Sequence, residues 1–256
     1  MQPLIDTHIH LSRWPCRRLP LDETANLVEA LQSRGVIQAW AGSFDALLHN
    51  DIAGVNGRLA EECRRHASFL IPFGSVNPML PDWQEDLRRC HEQFRMPGVR
   101  LHPNYHGYRL DDPVFGELLR QCAERKLAVQ LSVLMEDKRV QHRLLPVPPV
   151  DLAPLPEAMK RAPGVKLQLL NAFQVLRGEL LLRLAAAGVC FETATIEGVG
   201  GVHKVLGQIP QERLLFGSHA PFFVFESAKL KLAESDLTAE QMKAVCEENA
   251  RRFISL

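Results

Sequence analysis

Residues 6–10 read Asp6-Thr7-His8-Ile9-His10. In an extended strand, residues i and i+2 project to the same side, so His8 and His10 aim two imidazoles at one point. Imidazole suits zinc and similar ions, and two neighbouring rings on one strand begin a chelate. A second concentration is Arg100-Leu101-His102-Pro103-Asn104-Tyr105-His106, in which Arg100 and His102 share a face. An inward arginine needs an anionic partner: either a carboxylate of the chain, with Asp6 or Glu192 as candidates, or one on a ligand. His102 suits a proton carrier, because imidazole titrates near neutrality. A third concentration is Gly217-Ser218-His219-Ala220-Pro221. Ser132, Asn171 and Glu192 close three further apolar runs, and Glu136 follows the first of these. His49, His66, His91, His142 and His203 fall on helices or loops and read as solvated or capping groups.

These groups meet only if the elements carrying them do. Eight apolar runs have strand character: 3–8, 36–41, 69–74, 98–101, 127–132, 165–170, 189–192 and 214–217. Amphipathic stretches with helical spacing separate them, such as 22–34 with Ala25, Leu27, Val28 and Leu31. Gly35 and Gly188 each stand between a helix and a valine, where glycine accepts the left-handed C′ position. Thr238-Ala239-Glu240-Gln241 reads as a capping box opening the last helix. Strand–helix alternation means parallel strands with right-handed crossovers. Eight units of ~30 residues give an α/β fold, a single (β/α)8 TIM barrel spanning residues 1–256 as one domain. An open doubly wound sheet is the alternative, but no G-x-G-x-x-G follows the first strand. In a barrel the chemistry sits at C-terminal strand ends, and all three concentrations lie there. The proline-rich segment 135–154 follows the fifth strand and should form a lid or pocket wall.

The 256 residues carry 30 Lys plus Arg against 30 Asp plus Glu. Zero net charge argues against a general nucleic-acid binder. No apolar run is long enough to span a membrane, and the N-terminus does not read as a signal peptide. Six scattered cysteines without a CxxC pair point to reduced, inert thiols and a cytoplasmic protein. A small-molecule substrate is the expected partner, with homo-oligomerisation left open.

The strand ends resemble the amidohydrolase superfamily, in the branch of aminocarboxymuconate semialdehyde decarboxylase and the pyrone-dicarboxylate lactonases. The resemblance lies in Ile5-Asp6-Thr7-His8-Ile9-His10, Gly98-Val99-Arg100-Leu101-His102-Pro103, Arg213 to Pro221, and Glu248-Asn249-Ala250-Arg251-Arg252-Phe253. It implies a barrel holding a divalent metal, typically zinc, that polarises a substrate oxygen or activates water. The chain departs from the family pattern at three places. Ser132 and Asn171 stand where the family has histidines on the fifth and sixth strands, and His219 stands where it has an aspartate. The resemblance leaves His8, His10 and His219 as the metal ligands.

The expected function is metal-dependent hydrolysis or decarboxylation of a small, carboxylated molecule. His102, Glu136 and Glu192 would serve as acid or base, and Arg100, Tyr105, His106, Asn171 and Ser132 would bind substrate. Zinc is the expected ion. A metal-independent hydrolase, in which the histidines and Arg100 stabilise an oxyanion directly, and a non-catalytic binding protein of the same fold are the alternatives.

Overall fold

The computed structural model of the protein describes residues 2–254. Eight strands pair in chain order: β1 (Leu4–Leu11), β2 (Val36–Ser43), β3 (Leu70–Ser75), β4 (Gly98–Leu101), β5 (Ala128–Ser132), β6 (Leu167–Leu170), β7 (Cys190–Glu192) and β8 (Leu214–Leu215). All seven pairings are parallel. The chain after β8 closes the sheet on β1: Thr7 N donates to Phe216 O at 3.0 Å, His219 N to His8 O at 2.8 Å, and His10 N to Ala220 O at 2.9 Å. This closure makes a (β/α)8 barrel and excludes the open sheet.

The helices are α1 (Thr24–Ser33), α2 (Ile52–Arg65), α3 (Trp83–Arg88), α4 (Pro103–His106), α5 (Pro113–Glu124), α6 (Leu155–Arg161), α7 (Gly178–Ala186), α8 (Gly201–Leu206), α9 (Phe225–Ala233), α10 (Ala239–Lys243) and α11 (Asn249–Phe253). Leu27, Val28 and Leu31 are the buried stripe of α1. Gly35 and Gly188 adopt φ values of 90° and 91°, the left-handed turn needed to leave α1 and α7. The capping box at Thr238 and Gln241 is formed in both directions.

Strand bounds shift from expectation by up to three residues, and the shifts in β1 and β8 bear on the site. β1 runs on to Leu11, so His8 and His10 lie within it. Its register with β2 breaks between Asp6 and Ile9, an irregularity of the kind that re-aims side chains. β8 stops at Leu215, because the next residues bond β1 irregularly and His219 takes a left-handed φ of 59°.

Side chains fill the barrel in layers. At the N-terminal end lies an apolar cluster of Ile5, Trp40, Phe73, Ala128 and Leu215, covered by Phe253 of α11. Two residues further along the strands the interior turns polar. Arg100 donates to Gln130 Oε1 at 2.9 and 2.8 Å, to Ile9 O at 2.6 Å and to Trp40 O at 3.2 Å. Gln130 Nε2 continues to Thr7 O and Gln168 Oε1, both at 2.8 Å. A Cβ on Gly42 would stand 2.6 Å from Arg100 Nη1, so that glycine makes the room for a buried guanidinium. Two residues further again come His102 of the β4 end, Ser132 of β5, and Phe44 just past β2. Among the described residues no helix is long and apolar enough to cross a membrane.

Candidate active site

Imidazoles from opposite ends of the chain meet at the C-terminal mouth. His8, His10 and His219 each offer a ring nitrogen, and these atoms lie within 4.8 Å of one another. All three residues are fully buried. The left-handed turn at His219 and its backbone bond to His8 bring the rings of His8 and His219 to a centroid separation of 4.4 Å.

Hydrogen bonding settles one tautomer. His219 Nε2 lies 3.1 Å from Met135 O. A carbonyl only accepts, so Nε2 carries the proton and Nδ1 presents a lone pair. That lone pair faces His8 Nε2 at 3.0 Å. The other nitrogen of His8 lies 3.4 Å from Glu192 Oε1, a contact too poorly aligned to count as a hydrogen bond but a favourable electrostatic one. With its proton on Nε2, His8 donates to His219 Nδ1; with its proton on Nδ1, facing that carboxylate, it presents a second lone pair at the same point, which a cation would take up. Both ring nitrogens of His10 lack a partner. Buried polar atoms rarely go unpartnered, so three imidazoles with lone pairs in reach of one point fit a divalent ion.

Burial lowers the pKa of His8, His10, His102 and His219 well below the ordinary imidazole value, with smaller contributions from neighbouring positive groups. Neutral imidazole is the form that binds metal. Behind the rings, burial raises Asp6 to about 7, opposed by bonds from the Ser218 hydroxyl and from the amides of His8 and Ser218. The Gly217-Ser218 pair thus has a physical role. Ser218 holds Asp6, and a Cβ on Gly217 would stand 2.7 Å from Glu192 Oε2.

His102 lies 6.5 Å from His10 by ring centroid, and neither of its nitrogens has a partner. Its two ring nitrogens are the polar capacity left open at the end of β4. Glu192 is held from behind: its carboxylate accepts from Asn171 N at 2.6 Å and from Ala194 N. It backs His8 and does not face the space between the rings. Glu136 is buried and paired with Arg17.

The expected substrate-binding residues are differently placed. The guanidinium of Arg100 belongs to the polar interior layer, bonded to neutral protein groups and to neither Asp6 nor Glu192. Burial lowers its pKa to about 9, still protonated at neutrality. Ser132 Oγ turns to Met135 Sδ at 3.2 Å, and Asn171 Nδ2 donates to Leu134 O at 2.8 Å. His106 Nε2 bonds Ala46 O at 2.9 Å. Tyr105 joins the aromatic cover with Trp14, Phe44 and Phe222. Of segment 135–154, Met135 and Glu136 lie at the mouth, with Leu134 just before them.

Sequence reasoning missed Trp14 and Phe44 in that cover. Phe44 stacks on His10 at 4.6 Å with an interplanar angle of 5°. Phe222 stacks on His219 at 5.0 Å and 21°, whereas Phe225, the first residue of α9, packs in the core. Arg17 lies over the Phe222 ring at 5.0 Å. Nothing local in the sequence marks Phe44 or Arg17.

A family model described as amidohydrolase matches residues 5–169. No curated protein matches the chain. Solved structures similar to it include 2,6-dihydroxybenzoate decarboxylase complexed with 2,6-dihydroxybenzoate, at 15% identity and TM-score 0.75, with 100% of each chain covered. Another is 5-carboxyvanillate decarboxylase from Sphingomonas paucimobilis, at 12% identity and TM-score 0.77, again with 100% of each chain covered. A third is a dihydroxybenzoic acid decarboxylase from a Polaromonas species with bound manganese and the inhibitor 2-nitroresorcinol, at 13% identity and TM-score 0.74, covering 99% of this chain and 97% of that one.

Proposed function

The chain belongs to the amidohydrolase family, and from that premise we propose that it is a metal-dependent decarboxylase of a small, flat, carboxylated molecule. His8, His10 and His219 would hold the ion. An all-imidazole set suits zinc better than manganese, which prefers carboxylate and water oxygens. When bound, the ion supplies Lewis acidity toward a substrate oxygen.

The observation that carries the reading is that, among the described residues, no carboxylate joins the imidazole cluster. Glu192 sits behind His8 and Glu136 is engaged by Arg17. Hydrolysis asks for a base beside the attacking water. Decarboxylation asks for one proton delivered to carbon, and His102, with both ring nitrogens unpartnered, would carry it. The bond to the carboxyl carbon breaks, its electron pair stays on the substrate carbon, carbon dioxide leaves, and that carbon gains a proton that His102 has taken from solvent. The rings of Phe44, Trp14, Tyr105 and Phe222 offer walls for a flat molecule, and a dry site favours loss of an uncharged product. The decarboxylase activity of the three similar structures supports the same class of substrate.

Metal analysis of untagged protein tests the first half. About one divalent ion per chain is expected, with His10→Ala lowering affinity by at least about a hundredfold. Protein that takes up neither zinc nor manganese overturns it. Carbon dioxide release from a panel of hydroxybenzoates tests the second half. Because burial holds the His102 pKa low, its protonated form grows as pH falls, so the rate should rise toward acid. Lactone opening without carbon dioxide release, with a rate that falls toward acid, overturns decarboxylation in favour of hydrolysis.

A further inference from the structure

The segment Leu134–Glu136 lies over the histidines and is held there by the three side chains that depart from the family pattern. Ser132 reaches Met135 Sδ, Asn171 reaches Leu134 O and His219 reaches Met135 O. Glu136 completes the attachment from across the mouth by pairing with Nη1 of Arg17, in the loop after β1. The face of Arg17 rests on Phe222, which stacks on His219. Nε and Nη2 of Arg17 have no hydrogen-bond partner among the described residues, so a guanidinium built for two parallel bonds makes one.

Beside this pair opens a cavity of about 710 Å³, lined by Cys16, Arg17, Val140, His142, Arg143 and Leu144, with Gln141 between. It has two guanidinium groups and an imidazole on its walls and no carboxylate. Neither Arg143 nor His142 makes a salt bridge to an acidic group among the described residues. Positive walls with apolar patches between them fit a small anion with a hydrocarbon body.

We propose that this cavity binds a small carboxylate and that Glu136 is its built-in competitor. A ligand carboxylate engages two edges of Arg17 where Glu136 engages one. Displacing Glu136 removes the segment's tie from across the mouth and leaves only the bonds from Ser132, Asn171 and His219, so the ligand loosens the cover over the histidines. The histidine centre as the place where that ligand reacts rests on the function proposed above; the carboxylate site and its latch do not.

Calorimetry on the full chain, with benzoate as probe and benzamide as its neutral counterpart, tests the site. Benzoate should bind at least about tenfold more tightly than benzamide, as expected for a charge-assisted pair. Arg17→Gln should weaken benzoate by about tenfold or more. Glu136→Gln, which keeps the shape and removes the competing charge, should tighten it by a similar factor. Trypsin cleavage at Lys138, Arg139 and Arg143 should accelerate with benzoate, and in Glu136→Gln without it. Equal binding of benzamide overturns the carboxylate site. Benzoate binding that is unchanged or weakened in Glu136→Gln overturns the competition, and cleavage indifferent to benzoate overturns the release. Benzoate binding of the expected pattern with no carbon dioxide release from any benzoate would leave the site standing and remove the decarboxylase reading.

Discussion

The two halves of the barrel mouth use their strand-end side chains in opposite ways. At the ends of β1 and β4, His10 and His102 are buried with both ring nitrogens unpartnered. At β5, β6 and the turn after β8, Ser132, Asn171 and His219 all bond the chain at Leu134 or Met135. One half holds polar capacity in reserve, which is costly in a protein interior unless a ligand uses it. The other half has converted its capacity into the attachment of a loop. The same location in the same fold is therefore left open on one side and tied down on the other, and His219 takes part in both through its two nitrogens.

The largest effect should come from beneath the first half. Arg100→Leu takes the guanidinium donors away from Gln130 Oε1 and two backbone carbonyls, at a cost of about 1–3 kcal/mol for each acceptor left unsatisfied. Urea unfolding measures it. A stability loss under about 1 kcal/mol would mean that Arg100 is not a structural tie and would return it to the list of ligand-binding groups.

The reserve half should also show in the pH dependence of metal-free protein. His8, His10, His102 and His219 have folded pKa values depressed by burial. Below about 6.5, the ordinary imidazole value, the unfolded chain takes up protons that the folded chain refuses, so stability falls with acidification by about 1.4 kcal/mol per pH unit for each ring that stays neutral. Asp6, raised to about 7, and Glu192, also raised, work the other way over the same range. Two carboxyls against four imidazoles leave the sign with the histidines. Thermal denaturation between pH 7 and 5 should show a falling midpoint; a rising one would place the imidazoles in solvent.

The closing half allows a finer comparison. Asn171→Ala deletes a buried bond to Leu134 O and should cost about 1–3 kcal/mol. It should also hasten trypsin cleavage between Lys138 and Arg143. Ser132→Ala deletes a weaker contact to sulfur and should cost under about 1 kcal/mol. Equal effects on stability and cleavage would show that the loop is held by packing of Leu134 and Met135, not by these bonds.

How much of this was legible before the structure differs from residue to residue. The pairing of His8 with His10 follows from their spacing, and the approach of His219 from the order of eight strand–helix units. Arg100 was read as needing an anion, but Gln130 and two carbonyls hold it; an amide 30 residues away on the next strand leaves no mark in the arginine's own neighbourhood. Asn171 and Ser132 were identified as departures from a pattern, and only the path of the loop showed what they do instead. Phe44, one residue past β2, looks like any core phenylalanine until His10 is found stacked against it.

Short-range order in the chain was enough to specify the barrel, its mouth and the residue types that ring it. Alternating apolar runs, amphipathic stretches and a glycine after a helix each act within a few residues. Which imidazole nitrogen carries a proton, which carboxylate faces away and which loop lies on top depend on partners such as Met135 and His219, 84 residues apart, or Asp6 and Ser218, 212 apart. Hydrophobic periodicity is a property of neighbours along the chain, whereas the satisfaction of a buried polar atom belongs to whatever folding brings beside it.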